Sequence, residues 1–142
     1  KKSKLQILLK EQFERMQVLG STMEDLANHM VVPNVPVPDH PGLKSDFLFK
    51  NGVYRITQTI DYNVAPDSLH NKLSEACVKS TAADLAVGRY GSGTKKFAVL
   101  DVPENYMDSV GSHIDLLLTK GFEVFQFSNP SSIEVYLKKS IS

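Results

Sequence analysis

The stretch Phe47-Leu48-Phe49-Lys50-Asn51-Gly52-Val53-Tyr54 decides how this chain is to be read. An apolar run enters, Asn-Gly interrupts it, and a second run leaves. Asn-Gly supplies two residues that tolerate positive φ, as a type I′ hairpin turn requires. The return strand alternates. Tyr54, Ile56, Ile60 and Tyr62 share one side, and Arg55, Thr57, Thr59 and Asp61 share the other. The hairpin fixes a β-sheet, and the other elements are placed around it.

Downstream, Pro66 and Asp67 open a helix that runs to about Val87, with Leu69, Leu73, Ala76, Cys77 and Ser80 on one side and Gly88 as its stop. A Gly-rich loop spans Arg89 to Lys96. Phe97-Ala98-Val99-Leu100-Asp101-Val102 is apolar on both faces and predicts a buried central strand. Pro103 suits a helix start. Tyr106, Met107, Val110, Ile114, Leu117 and Leu118 mark that helix's buried face. Gly121 ends it, with Phe122 folding back on Leu117 in a Schellman closure. A second hairpin then pairs Phe122–Ser128 with Ile133–Lys138 across Asn129-Pro130-Ser131-Ser132, because Ile133, Val135 and Leu137 alternate with Glu134, Tyr136 and Lys138. Residues 46–142 therefore read as an α+β domain ordered β-β-α-β-α-β-β, two helices lying on a mixed, largely antiparallel sheet.

Upstream, residues 1–31 read as helix. Leu9, Phe13, Met16, Gly20, Met23, Ala27 and Met30 are spaced 4, 3, 4, 3, 4, 3, a heptad seam. Leu5, Leu19 and Leu26 widen the stripe. Gly20 before Ser21-Thr22-Met23-Glu24 suggests a stop and a new capping box, so the segment is one weakened helix or two with a bend. Residues 32–45 form an arm. Pro33, Pro36, Pro38 and Pro41 fall within the eleven residues Val31 to Pro41, which excludes a helix or central strand and favours a polyproline-like spacer. The interleaved Val31, Val32, Val35 and Val37 favour an arm covered by something.

Composition narrows the function classes. In 142 residues, 16 Lys+Arg balance 16 Asp+Glu, which excludes a strongly basic nucleic-acid surface and an acidic tail as whole-chain properties. No run of 18 apolar residues exists to span a bilayer. One cysteine gives no internal disulfide and no thiolate cluster. Lys1, Lys2 and Lys4 before Leu5–Leu9 faintly resemble a signal peptide, but Lys10, Glu11, Glu14 and Arg15 interrupt the run and no small-residue cleavage site follows. A cytoplasmic or virion location is the expectation.

No catalytic motif stands out. Gly88-Arg89-Tyr90-Gly91-Ser92-Gly93-Thr94-Lys95-Lys96 has phosphate-loop glycines but leaves a helix and enters a strand, the reverse of a phosphate loop's context. Arg89, Tyr90, Lys95 and Lys96 could still form a small basic patch for weak, salt-sensitive contact with nucleic-acid backbone or another anion. Cys77 lies seven residues, about 10 Å along a helix, from His70, too far for a base, and reads as core. His29, His40, His70 and His113 offer no helical metal spacing, so no metal and no cofactor are expected. Asp101 and Glu104 follow the central strand, where α/β folds favour sites, although charge–dipole stabilisation explains them equally well. Asp61 would join Asp101 as a carboxylate pair if their strands were adjacent.

Residues 76–137 carry one further pattern: an Ala-rich helix end, a strand closing on Val102-Pro103, the turn Leu117-Leu118-Thr119-Lys120-Gly121-Phe122-Glu123-Val124, and Ile133-Glu134-Val135-Tyr136. This α-β-α-β-β order resembles a small module of tailed-bacteriophage virion and accessory proteins. The resemblance implies a phage context and transfers no catalytic residue. The leading expectation is a non-enzymatic assembly protein, a homo-oligomer or a subunit among others, gripping neighbours through Leu9, Phe13, Met16, Met23, Met30, Val35 and Val37. Its alternatives are a nucleic-acid accessory factor using the basic loop, and a small enzyme using Asp61, Asp101 and Glu104. The plainer reading of the stripe is that it packs on the chain's own domain.

Overall fold

A computed structural model describes residues 3–142; Lys1 and Lys2, part of the signal-like start, lie outside the described residues. The fold is α+β. A five-stranded sheet has the order β1 (Val32–Val37), β2 (His40–Asn51), β3 (Val53–Asp61), β4 (Lys95–Asp101), β5 (Glu123–Gln126). The pairs β1/β2 and β2/β3 are antiparallel, and β3/β4 and β4/β5 are parallel, so the sheet is mixed in equal parts. Four helices flank it: α1 (Lys4–Arg15), α2 (Asn71–Tyr90), α3 (Gly111–Thr119) and α4 (Pro130–Ser140). Among the described residues, no helix is long and apolar enough to cross a membrane.

Strand alternation sorts the core into two layers. Leu48, Ile56, Ile60, Ala98 and Leu100 pack with Ala76, Ala82, Ala83 and Ala86 of α2 and Leu117 of α3. Phe47, Phe49, Phe97, Val99 and Phe125 pack with Leu5, Leu9 and Phe13 of α1 and Tyr136 of α4. The alternation of Tyr54, Ile56, Ile60 and Tyr62 thus holds, and β4 is buried on both faces as its composition requires.

The amino-terminal segment corrects the expected layout. Helix α1 ends at Arg15 because Gln17 adopts a left-handed φ of 59° and the amide of Val18 reaches back to the carbonyl of Phe13 at 3.1 Å. The next helical piece is a 3-10 turn, Met23–Asn28. Its capping box is Thr22 with Asp25, one residue later than Ser21 with Glu24. Asp25 Oδ2 accepts from the amides of Ser21 (2.7 Å) and Thr22 (3.0 Å), and these bonds hold its carboxyl below the usual range. Residues 1–31, 32–45 and 46–142 are therefore not separate units. Leu9 and Phe13 are sealed in the chain's own core, and the arm is edge strand β1, with Val35 and Val37 buried beneath it. An edge strand tolerates Pro33 and Pro36 because one side of its backbone needs no partner. Met16 and Met23 are exposed and Met30 is half-buried.

Three further expectations are corrected. The β2–β3 hairpin turns where expected, but only Gly52 takes positive φ, at 75°, so the turn is not type I′. Helix α2 passes through Gly88 to Tyr90 and is capped by Gly91, with Leu73 and Cys77 outside its buried face. Ile133–Lys138 is helix α4, not a strand. Asn129 caps it by accepting from the Ser132 amide at 3.2 Å, Pro130 occupies its first turn, and Tyr136 and Ser140 are buried one turn apart. The closure at Gly121 is as expected: φ is 86° and the Phe122 amide donates to the Leu117 carbonyl at 3.0 Å.

Candidate ligand cleft at the carboxyl end of the sheet

The strands β2 and β3 stay in register only from Asn51↔Val53 to Phe47↔Thr57. Beyond that point β2 follows β1 and β3 follows β4, so the sheet splays. Side chains take over the ladder at the fork. Gln58 Oε1 accepts from the Asp46 amide (2.8 Å), and Asp46 Oδ2 accepts from the Thr59 amide (2.8 Å) and the Thr59 hydroxyl (3.0 Å). Gln58 Nε2 donates to the carbonyls of Lys44 (3.0 Å) and Lys79 (3.1 Å), which ties β2 and α2 to β3. Buried backbone groups that lose their ladder partner need such substitutes.

Asp46 is fully buried, and a buried carboxylate needs a cation. Lys79 of α2 supplies it, its ammonium donating to Asp46 Oδ2 at 2.7 Å and to the Thr59 carbonyl. Glu75 Oε2 lies 3.6 Å from the same ammonium and holds Lys72 at 3.0 Å. The second Asp46 oxygen, Oδ1, has no hydrogen-bond partner, and Lys44 Nζ stands 3.8 Å from it.

This network backs a cleft of about 530 Å³ in which Lys44, Lys72 and Lys79 meet Ser3, Lys4 and Gln6 at the start of α1. Ser3 caps α1 through the Gln6 amide at 3.1 Å, and the positive end of the helix dipole points to this corner. Asp61 stands here too, accepting from the Leu5 amide at 3.3 Å.

The strands of Asp61 and Asp101 are adjacent, and the two residues are register partners at the ends of β3 and β4. Asn63 bridges them, its Nδ2 donating to Asp61 Oδ1 (2.9 Å) and Asp101 Oδ2 (2.8 Å). They line a neighbouring recess of about 300 Å³ that also contains Lys4 and Leu8, so it adjoins the lysine cleft. Glu104 lies in the 3-10 turn Glu104–Tyr106 and lines neither space.

The basic loop is not a free patch. Arg89 pairs with Asp39, and Tyr90 stacks on Tyr54 with ring centroids 4.2 Å apart. Lys96 pairs with Asp84 at 2.9 Å, donates to the Lys120 carbonyl and lies over the Phe122 ring. Lys95 alone of the four is exposed without an ion pair among the described residues. The site residues that sequence reasoning missed are Asp46, Gln58, Lys72 and Lys79. The available signal was an acid at position 46 inside an otherwise apolar strand run, a position that demands a partner. No protein-family model matches the chain, and neither the curated proteins nor the solved structures contain a match to it.

Proposed function

We propose that the chain binds a phosphate-bearing ligand in the cleft at the carboxyl end of β3 and β4. The observation that carries this reading is the convergence of Lys4, Lys44 and Lys72 with the amino end of α1 on one recess. Ammonium groups and a helix amino terminus both favour an anion, and Ser3, Gln6 and Asn63 add neutral hydrogen-bonding groups around it. Lys79 is committed to Asp46, so it shapes the floor, while Lys44 and Lys72 reach the rim. Asp101 is the more open of the paired carboxylates and is the group placed to take a proton from a molecule held there, which gives the reading its enzymatic form.

The test is calorimetric titration with inorganic pyrophosphate and with a short single-stranded oligonucleotide at low and moderate salt. Lys44→Ala combined with Lys72→Ala should weaken binding by about tenfold or more, the worth of a charge-assisted contact. Lys95→Ala should leave it unchanged. Equal loss from both variants, or no saturable binding of either probe, contradicts the reading.

The assembly reading, and with it a virion role, keeps a narrower footing: Met16 and Met23 are exposed beside one another in sequence, on the turns that follow α1. Sedimentation as a monomer at high concentration would remove it.

A further inference from the structure

The segment Asp61-Tyr62-Asn63 serves two sides of the sheet. Asp61 and Asn63 face the lysine cleft, whereas Tyr62 turns into the layer of α2 and α3. A second cleft, of about 540 Å³, lies on that side. Pro66, Leu69 and Leu73 give it an apolar wall, Asp67, His70 and Ser109 edge it, and His113 of α3 forms part of its lining.

His113 is only 5% exposed. Its Nδ1 lies 3.0 Å from the hydroxyl of Tyr62, which is itself fully buried. That hydroxyl has no other partner, so its proton must go to Nδ1; otherwise a buried donor would be left unmade. Burial works in the same direction on both groups, raising the Tyr62 phenol far above its ordinary value and lowering the His113 imidazole below its own. With Nδ1 accepting, the ring hydrogen sits on Nε2. Nε2 has no protein partner and is not among the sealed unpaired atoms, so it opens on the cleft that His113 lines.

We propose that this second cleft binds a neutral planar molecule bearing a carbonyl acceptor, such as a lactam or amide, held by the Nε2–H of His113. The apolar wall covers the body of such a molecule, and the oriented donor fixes its polar edge. A carboxylate is disfavoured because Asp67 shares the rim and the imidazole donor is uncharged.

The experiment is a ¹⁵N-histidine NMR titration of the full chain with 2-pyridone, with acetate as the anionic control. Without ligand, His113 should show the Nε2–H tautomer. 2-Pyridone should shift its ring signals saturably, and acetate should do so at least tenfold more weakly. Tyr62→Phe, which removes only the hydroxyl, should release the tautomer and weaken 2-pyridone by about two- to tenfold, the worth of a neutral hydrogen bond. An Nδ1–H tautomer in the wild-type protein overturns the proposal. So does the absence of a saturable 2-pyridone shift, or acetate binding as tightly. The lysine cleft takes no part in this titration, so its failure and that of the phosphate site are separable.

Discussion

The two faces of the sheet are filled in opposite ways. On one, Phe47, Phe97 and Phe125 meet Phe13 of α1 and Tyr136 of α4, with Phe13 and Phe47 edge to face at 5.2 Å and Phe125 and Tyr136 tilted at 5.5 Å. On the other, α2 presents Ala76, Ala82, Ala83 and Ala86 to Leu48, Ile56 and Ala98. Small residues let a helix lie close to its partner, and aromatic rings hold it off. The difference teaches which elements the domain can spare. The aromatic layer exists only because the first helix of the chain closes it. The alanine layer is closed by the crossover helix that any β3–β4 parallel connection demands.

The comparison can be broken by changing volume on each face. The largest effect is expected from Phe13→Ala. It opens a hole among Phe47, Tyr136 and Leu9 and should cost about 3–5 kcal/mol in urea unfolding. Ala83→Leu tests the opposite face, where the fault is excess volume; about 1–3 kcal/mol should be lost as α2 is pushed from the sheet. A loss below about 0.5 kcal/mol in either variant, the range of an exposed position, would deny the contrast.

The smallest effect sharpens it by pH. His113 belongs to the alanine side, and burial lowers its folded-state value. As pH falls below about 6.5, the unfolded chain takes up the histidine proton before the folded one does. Stability is therefore full above that range and declines below it until the folded histidine also titrates. His113→Gln should flatten this part of a urea-midpoint profile, and no variant of the aromatic face should.

Much of this architecture was legible in the residues, and the failures have physical causes. The alternation from Tyr54 to Tyr62, the doubly apolar β4 and the Gly121–Phe122 closure are local signals, and each appears in the fold. Helix α4 was missed because β-branched and charged residues at 133–138 imitate a half-buried strand. Asn129 and Pro130, a cap and a first-turn proline, were the contrary evidence. The heptad from Leu9 to Met30 ran past its true end because Gln17 takes the left-handed conformation that glycine usually marks. Asp61 with Asp101 was visible as a conditional pair, and strand adjacency made it real. The Asp46–Lys79 pair, 33 residues apart, had no local signature at all.

The central claim is that the amino-terminal helix belongs to the folded core and builds one wall of the ligand cleft. Native-state hydrogen exchange tests it most directly. The amides of Leu9 and Phe13 should open with nearly the same free energy as those of Ile56 and Ile60 in β3, the behaviour of one cooperative unit. Exchange of the α1 amides at rates close to those of a free peptide, while β3 stays protected, would contradict it.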